Sequence, residues 1–482
     1  MGKLLSKLAD YCPEPVARSV SNSYNRRIRD TNKRKADSLD DEAELYEALH
    51  SPKKRKLLCT THYIYKALYV EGKDSDITVE ILNKNWKLHK VYLRQSQYFN
   101  SMFSGVWDES NKSNIRIEVE DPNITIEALN TVFSSFYLDE ITVEPCNVIG
   151  VLAASTMFQL EGLIEQCCEI MIETLSPITA VKYYHGACSY GSQKVKEKTM
   201  EWFLMNLTDY FVKNASRLQD IDIDLMSSIV SHPDLFVIPS ELALYNLLKK
   251  WVYCRLHPDK DSNAASMTDV ENYFRTFESN VAFLLTDTGL EYMRIFRQLR
   301  LVNMILHMQD YNKLVKDRII PESWLLTAFK KQWVTLLDIC SGNDKGPDSL
   351  NEKYFAENCL RCGTVISVSD TGSWRWNWFT FGIDIVWCIA DNKLILTRQR
   401  NSIESSGRPT NHSIILQVDL INFDKNRQIK KCQRVEPMRV ILARNQDIKI
   451  ANLDSDFVYP LYIIIKLQLS SNSSTNVNQN EN

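Results

Sequence analysis

The chain is 482 residues long, 44% hydrophobic and 24% charged, with a formal net charge of -3 at pH 7. These proportions suit a globular protein with room for roughly three domains. So even a charge balance excludes a protein that coats nucleic acid along its whole length, and leaves charge to be read locally.

Residues 1–58 hold few aromatics and several charge runs, a composition that predicts a disordered tail. Met1-Gly2-Lys3-Leu4-Leu5-Ser6 fits the myristoylation pattern, with Gly2 as the acceptor. One such chain binds membrane at only about 10⁴ M⁻¹, so peripheral membrane contact needs help from Lys3, Lys7, Arg18 and the Arg26-Arg27-Ile28-Arg29 cluster, or from a second lipid on Cys12. The competing reading is a short accidental match. Ser51-Pro52 introduces Lys53, Lys54, Arg55 and Lys56, a compact run that resembles a monopartite nuclear localisation signal read by an importin. Its alternative is a solvated basic linker. With no secretory start, the sequons at Asn123, Asn206 and Asn214 are expected to stay unmodified.

From Lys73 the pattern changes. Ile77, Val79 and Ile81 alternate with polar residues, as in a half-buried strand, and Trp86 to Lys90 follows after a short turn. Residues 91–103 predict one helix, Ile115, Ile117 and Val119 a second strand, and the stripes 126–136, 148–155 and 163–175 three more helices. Strands followed by a helix cluster predict an α+β domain, placed at 59–175. Ser75-Asp76-Ile77, Leu88-His89-Lys90-Val91-Tyr92-Leu93 and Ser96-Gln97-Tyr98-Phe99-Asn100-Ser101-Met102-Phe103, in that order, resemble the signature of the BTB/POZ fold. The resemblance implies a homodimer, with residues around Tyr63 to Val70 at the dimer contact. Trp107-Asp108-Glu109 resembles the hydrophobic-x-Glu motif through which many BTB adaptors contact cullin-3, and implies a cullin-binding set of Trp107, Glu109 and Tyr98. His89 has no His or Cys partner at metal spacing, so it and Asp76 are expected to hold local structure.

Residues 176–341 keep helical spacing. Tyr183, Tyr184, Cys188, Val195, Met200, Phe203 and Leu204 take amphipathic positions, and Leu244, Leu248 and Trp251 recur at i, i+4 and i+7 behind Ser240, an expected helix cap. Asp259 to Asp269 reads as a loop; Pro321 to Leu326 and Lys331-Gln332-Trp333 belong to a later helix. This all-α segment resembles a BACK domain, which implies a stalk that spaces the substrate module away from the BTB domain.

After a linker at 342–351 the period becomes two. Trp374, Trp376 and Trp378 alternate with Arg375 and Asn377, the alternation runs on through Phe381, Ile383 and Ile385, and Ile414, Leu416 and Val418 form another run, with more near Val440 and Tyr462. A β-rich domain at 352–469 is expected, with a tryptophan-rich core strand preferred to a stacking platform for single-stranded nucleic acid. Residues 470–482, rich in Ser and Asn, are expected to be disordered. Cys359-Leu360-Arg361-Cys362 is a lone C-x-x-C without a second ligand pair, so no metal and no other cofactor is expected. The twelve cysteines otherwise follow the pattern of buried thiols in a reducing compartment. The apolar run 457–465 is about half the ~20 residues of a spanning helix, and Pro460 interrupts it.

Phosphate-loop, dinucleotide, zincin and nucleophile-elbow motifs are absent, and no enzyme is expected. The order of Gly2, the 52–56 basic run, Tyr63-Ile64-Tyr65-Lys66-Ala67-Leu68, BTB, BACK, Lys331-Gln332-Trp333, Arg361-Cys362-Gly363 and Trp374-Arg375-Trp376 resembles the germ cell-less family. That resemblance implies a substrate adaptor of a cullin-3 ubiquitin ligase at the nucleus and nuclear envelope, acting in germ-cell development, with the β-rich end holding a protein substrate. The other reading is a nuclear-envelope scaffold or transcriptional co-regulator without ubiquitin transfer.

Overall fold

The computed structural model describes residues 58–105, 112–259, 266–277, 281–341, 346–347, 349–367, 373–379, 383–399 and 411–471. Gly2, Lys53, Lys54, Arg55 and Lys56, Trp107 and Glu109, and the end of the chain from 472 lie outside the described residues. A short helix, Leu58–Tyr63, runs into a π-helical turn, Ile64–Val70.

The alternation at Ile77, Val79 and Ile81 buries one face of β1 (Ile77–Ile81). Leu82 and Asn83, both at positive φ, fold the chain back onto β2 (Lys84–Leu88), because a turn of that hand matches the twist of the paired strands. The stripe over 91–103 is not one helix. It breaks into α1 (Lys90–Leu93) and α2 (Gln97–Met102), because Ser96 is extended and its Oγ accepts from the Phe99 amide while donating to the Phe158 carbonyl. The expected strand at 115–119 shortens to β3 (Asn114–Arg116), which pairs parallel to β1 and completes the order β2-β1-β3. Helices α3 (Ile126–Ser135), α4 (Val148–Met157) and α5 (Glu161–Glu173) follow. Trp86 Nε1 ties the sheet to α3 through Asn130 Oδ1 at 3.1 Å.

His89 and Asp76 are structural. His89 Nε2 meets the Lys73 carbonyl at 2.8 Å, so Nε2 carries the proton and Nδ1 accepts from the Tyr137 hydroxyl at 3.1 Å. Asp76 Oδ1 accepts from the Lys90 amide at the start of α1.

The middle of the chain is helical: its longer helices are α6 (Ala180–Ser189), α7 (Gln193–Asn206), α8 (Ile223–Ser231), α9 (Glu241–Leu256), α10 (Met267–Arg275), α11 (Met308–Asp317) and α12 (Glu322–Cys340), with one-turn helices at Tyr210–Lys213, Asp287–Leu290, Met293–Phe296 and Leu301–Met304 between them. Leu244, Leu248 and Trp251 are buried at their expected spacing, yet α9 is buried nearly all round. Even Lys249 lies inside, its ammonium 2.6 Å from Asp317, which also accepts from Tyr245. Burial pulls the Lys249 ammonium below its usual range, and Asp317 offsets part of that. Ser240 occupies the cap position of α9, but its hydroxyl makes no capping bond. Cys188, expected on the amphipathic face, is exposed. None of the described helices is long and apolar enough to cross a membrane.

The β-rich end opens with a helix the alternation did not announce, α13 (Glu352–Asn358). Among the described residues eight strands then form two four-stranded sheets. One runs β4-β11-β8-β9, from β4 (Leu360–Ile366), β8 (His412–Phe423), β9 (Ile429–Leu442) and β11 (Leu461–Ser470); the other runs β10-β7-β6-β5, from β5 (Ser373–Phe379), β6 (Ile383–Ala390), β7 (Lys393–Gln399) and β10 (Asp447–Asn452). The continuous alternation expected from Trp374 to Ile385 is thus two strands, β5 and β6. Leu416, Leu420, Ile463 and Ile465 pack against Trp387, Leu394 and Leu396 across the sandwich. The side chains of Trp374, Trp376 and Trp378 lie outside the described residues; among the described ones Trp387 is buried in the sandwich core.

β8 and β11 are buried on both faces, because the second face of their sheet lies on the helical middle. There Ile421, Tyr462 and Ile464 pack on Phe236, with Met205 and Ile238 alongside. The helical middle is therefore not a stalk that spaces the β-rich end away. It is the layer on which that end is seated.

Candidate protein-interaction site

Two surfaces qualify. The first surrounds α2 in the amino-terminal module. Phe99 is fully buried, stacked on Phe158 at 5.1 Å and on Phe103 at 5.9 Å, which fixes the roll of the helix. That roll leaves Tyr98 half-buried, edge-on to Phe158 at 5.4 Å. Arg94 closes the far end of α2 by donating to the Phe103 carbonyl at 3.0 Å, and the described chain stops at Gly105, at φ 93°. Of the three expected cullin contacts, the described residues contain Tyr98. Beside it a cleft of about 410 Å³ opens between Gln95, Gln97, Phe136, Leu160 and Leu163. Tyr63 and Val70, in the segment expected at a dimer contact, are 59% and 62% exposed.

The second surface was not anticipated. The turn between β8 and β9, Asp424-Lys425-Asn426-Arg427-Gln428, is a plug held by the helices. Asp424 Oδ1 accepts from the amides of Asn426 and Gln428 and so shapes the turn. Gln428 Nε2 then donates to the carbonyls of Ile172 and Leu175, at 3.1 and 2.8 Å, reaching the end of α5. Trp202 Nε1 donates to the Asn426 carbonyl. Arg427 binds Asn206 Oδ1 at 2.8 Å, Asp209 at 2.6 Å and the Tyr462 hydroxyl at 2.6 Å. Burial alone would raise the Asp209 carboxyl, but Lys213 and Arg427 hold it below its usual value.

A second anchor lies at the start of β4. Arg361 and Glu241, both buried, form a two-pronged pair at 2.8 and 2.9 Å. Arg300 donates to the carbonyls of Cys359 and Ala356, ending α13, and to Cys359 Sγ at 3.1 Å. The C-x-x-C thus sits in this anchor: Cys359 against Arg300, Cys362 in the sandwich core with its thiol pushed up by burial. Among the described residues no cluster of three His, Cys, Asp or Glu side chains is placed to hold a metal ion.

Beside the 424–428 turn a cleft of about 380 Å³ separates β9 from α7. Its floor is Ile172, Leu175, Met205, Ile421 and Ile429, and its rim carries Lys198, Glu201, Cys432 and Arg434. The polar five-residue break at 424–428, flanked by alternating runs, was a legible hairpin signal. Nothing in it announced contact with residues more than 200 positions earlier.

Residues 65–175 match the BTB/POZ domain family. The chain is 37% identical over 474 residues to Protein germ cell-less of Drosophila melanogaster, covering 92% of this chain and 82% of that one. To Germ cell-less protein-like 1 of Homo sapiens it is 34% identical over 430 residues, 87% of this chain and 83% of that one. To Germ cell-less protein-like 2 of Homo sapiens it is 34% identical over 464 residues, 94% and 87%. The chain belongs to the germ cell-less family. Germ cell-less likeness at this coverage extends past the BTB module, so the helical middle and the sandwich share in it.

Proposed function

We propose that this germ cell-less chain is a substrate adaptor of a cullin-3 RING ubiquitin ligase, acting at the nucleus and nuclear envelope in germ-cell development. In this reading the BTB modules pair into a homodimer, the loop after α2 grips cullin-3, and the sandwich holds the protein client. The 53–56 basic run brings an importin, and acylation at Gly2 adds a peripheral membrane contact. Transfer chemistry belongs to the ligase; the chain contributes proximity and orientation.

The observation that carries the reading is the BTB match at 65–175 with Trp107-Asp108-Glu109 directly after α2. Tryptophan is the side chain most often found as an interface anchor, and Glu109 would accept a hydrogen bond at its rim. A Trp107→Ala, Glu109→Ala protein is expected to lose cullin-3 affinity by about 30-fold or more, as removal of an anchor of ~2 kcal/mol implies. Titration calorimetry against the cullin-3 amino-terminal domain measures it, with the melting temperature unchanged as the folding control. Wild-type affinity in that variant removes the assignment.

A further inference from the structure

We propose that the outer edge of β9 receives an extended, acidic segment of a client protein as an added strand, whose alternate side chains enter the cleft between β9 and α7. The word client rests on the adaptor reading; the binding edge does not.

β9 ends its sheet, and among the described residues no strand pairs with its far side. Its neighbour β8 is buried almost throughout, whereas β9 alternates half-buried and exposed from Ile429 to Glu436. That gives a five-residue edge in regular register, Lys431 to Val435, between two register shifts, with Pro437 beyond it removing a donor. Edges of this kind bind extended peptides through main-chain hydrogen bonds, and pockets for every second side chain add selectivity. The pocket is present. Cys432 pairs across from Ile421 and Arg434 from Asp419, which puts both on the side of the sheet that faces α7. A strand added outside β9 would continue this wall, so its inward side chains would lie over the apolar floor.

Charge selects the occupant. Lys430, Arg434 and Arg439 are exposed on β9 and Lys431 is half-buried there, against a single acid, Glu436. A second copy paired on this edge would set basic residues against basic residues, which opposes self-association. An acidic strand meets the opposite condition. Within the chain Lys431 Nζ already lies 3.2 Å from Asp454 and 3.6 Å from Asp456, and Arg434 lies 2.6 Å from Asp419, so the acidic preference rests chiefly on the exposed Lys430.

The test titrates the purified full chain with two fluorescein-labelled decapeptides, one of alternating Glu and Val, the other of alternating Lys and Val. Maleimide labelling of Cys432 is followed by mass spectrometry, with the exposed Cys146 and Cys188 as internal controls. The acidic peptide is expected to bind and to suppress labelling at Cys432 only. The basic peptide should do neither, N-methylation of the acidic peptide should abolish binding, and Lys430→Glu should weaken it. Equal binding of both peptides, absence of acidic binding, or unchanged Cys432 labelling overturns the proposal. Cullin-3 binding is measured on the same Lys430→Glu protein and is expected to be unchanged. Peptide binding by a chain that engages no cullin would sink the adaptor reading and leave the edge standing.

Discussion

Gly363 on β4 lies against Phe236 of the helical middle with no room for a side chain. A Cβ placed there would meet the Ile463 carbonyl at 2.8 Å and Phe236 Cε2 at 2.9 Å, and neither can retreat, one being backbone and the other core. Gly363→Ala is therefore expected to cost about 1–3 kcal/mol, the usual range for overpacking. Denaturant unfolding measures it, and a neutral result would mean the two layers slide freely. Asp209 gives the seat a pH dependence. Its folded carboxyl lies below its ordinary value of 3.8, so the stability it adds is complete above that value and is lost as the pH falls through the folded one. The melting temperature should decline below about pH 4. Asp209→Asn should be less stable at pH 7 and show a shallower decline; equal slopes for the two proteins would remove Asp209 from the account.

At the scale of elements, α9 and β4 are joined by charge where apolar contact would have been the simpler solution. Arg361→Met leaves the Glu241 carboxylate buried and unpaired, and Glu241→Met does the same to the guanidinium, each at about 3–5 kcal/mol. The double variant should lose less than the sum, with a coupling above about 1 kcal/mol in a double-mutant cycle; additive losses would mean that the two groups do not act on each other. The elements themselves were largely legible, because β1 and α3 bury one regular face each and such faces write their period into the sequence. What was not legible has a physical reason in each case. Ser96 splits 91–103 by offering the backbone a side-chain partner where neither glycine nor proline marks a break. In β8, Gln417 and Asp419 read as the solvent side of a one-faced strand, yet both are buried, Asp419 because Arg434 neutralises it. The site divides in the same way. Trp107 and Glu109 are contiguous and could be read as a motif, whereas Arg427, Asp209, Glu241 and Arg361 are brought together only by folding.

The molecule as a whole hangs on whether the β-rich end is a passenger or a structural layer. From Ala67 onward the chain forms one compact unit, and the plug at 424–428 touches both α7 and the end of α5. Removing everything after residue 341 would uncover Phe236, Ile238 and Met205 and leave Glu241 and Asp209 without their arginines. An independent stalk would tolerate this. A seated one would not: returning buried apolar side chains to water costs about 1.5–3 kcal/mol each, and a loss of about 3 kcal/mol lowers the melting temperature of a domain this size by about 6–12 °C. The truncated protein should melt that much earlier than the full chain and bind a hydrophobic dye that the full chain excludes. An unchanged midpoint without dye binding would return the helical middle to the role of spacer. A client held on β9 would then have no fixed position relative to the BTB module. If the layer holds, its orientation is built into the fold, and proximity and aim come from the same interface.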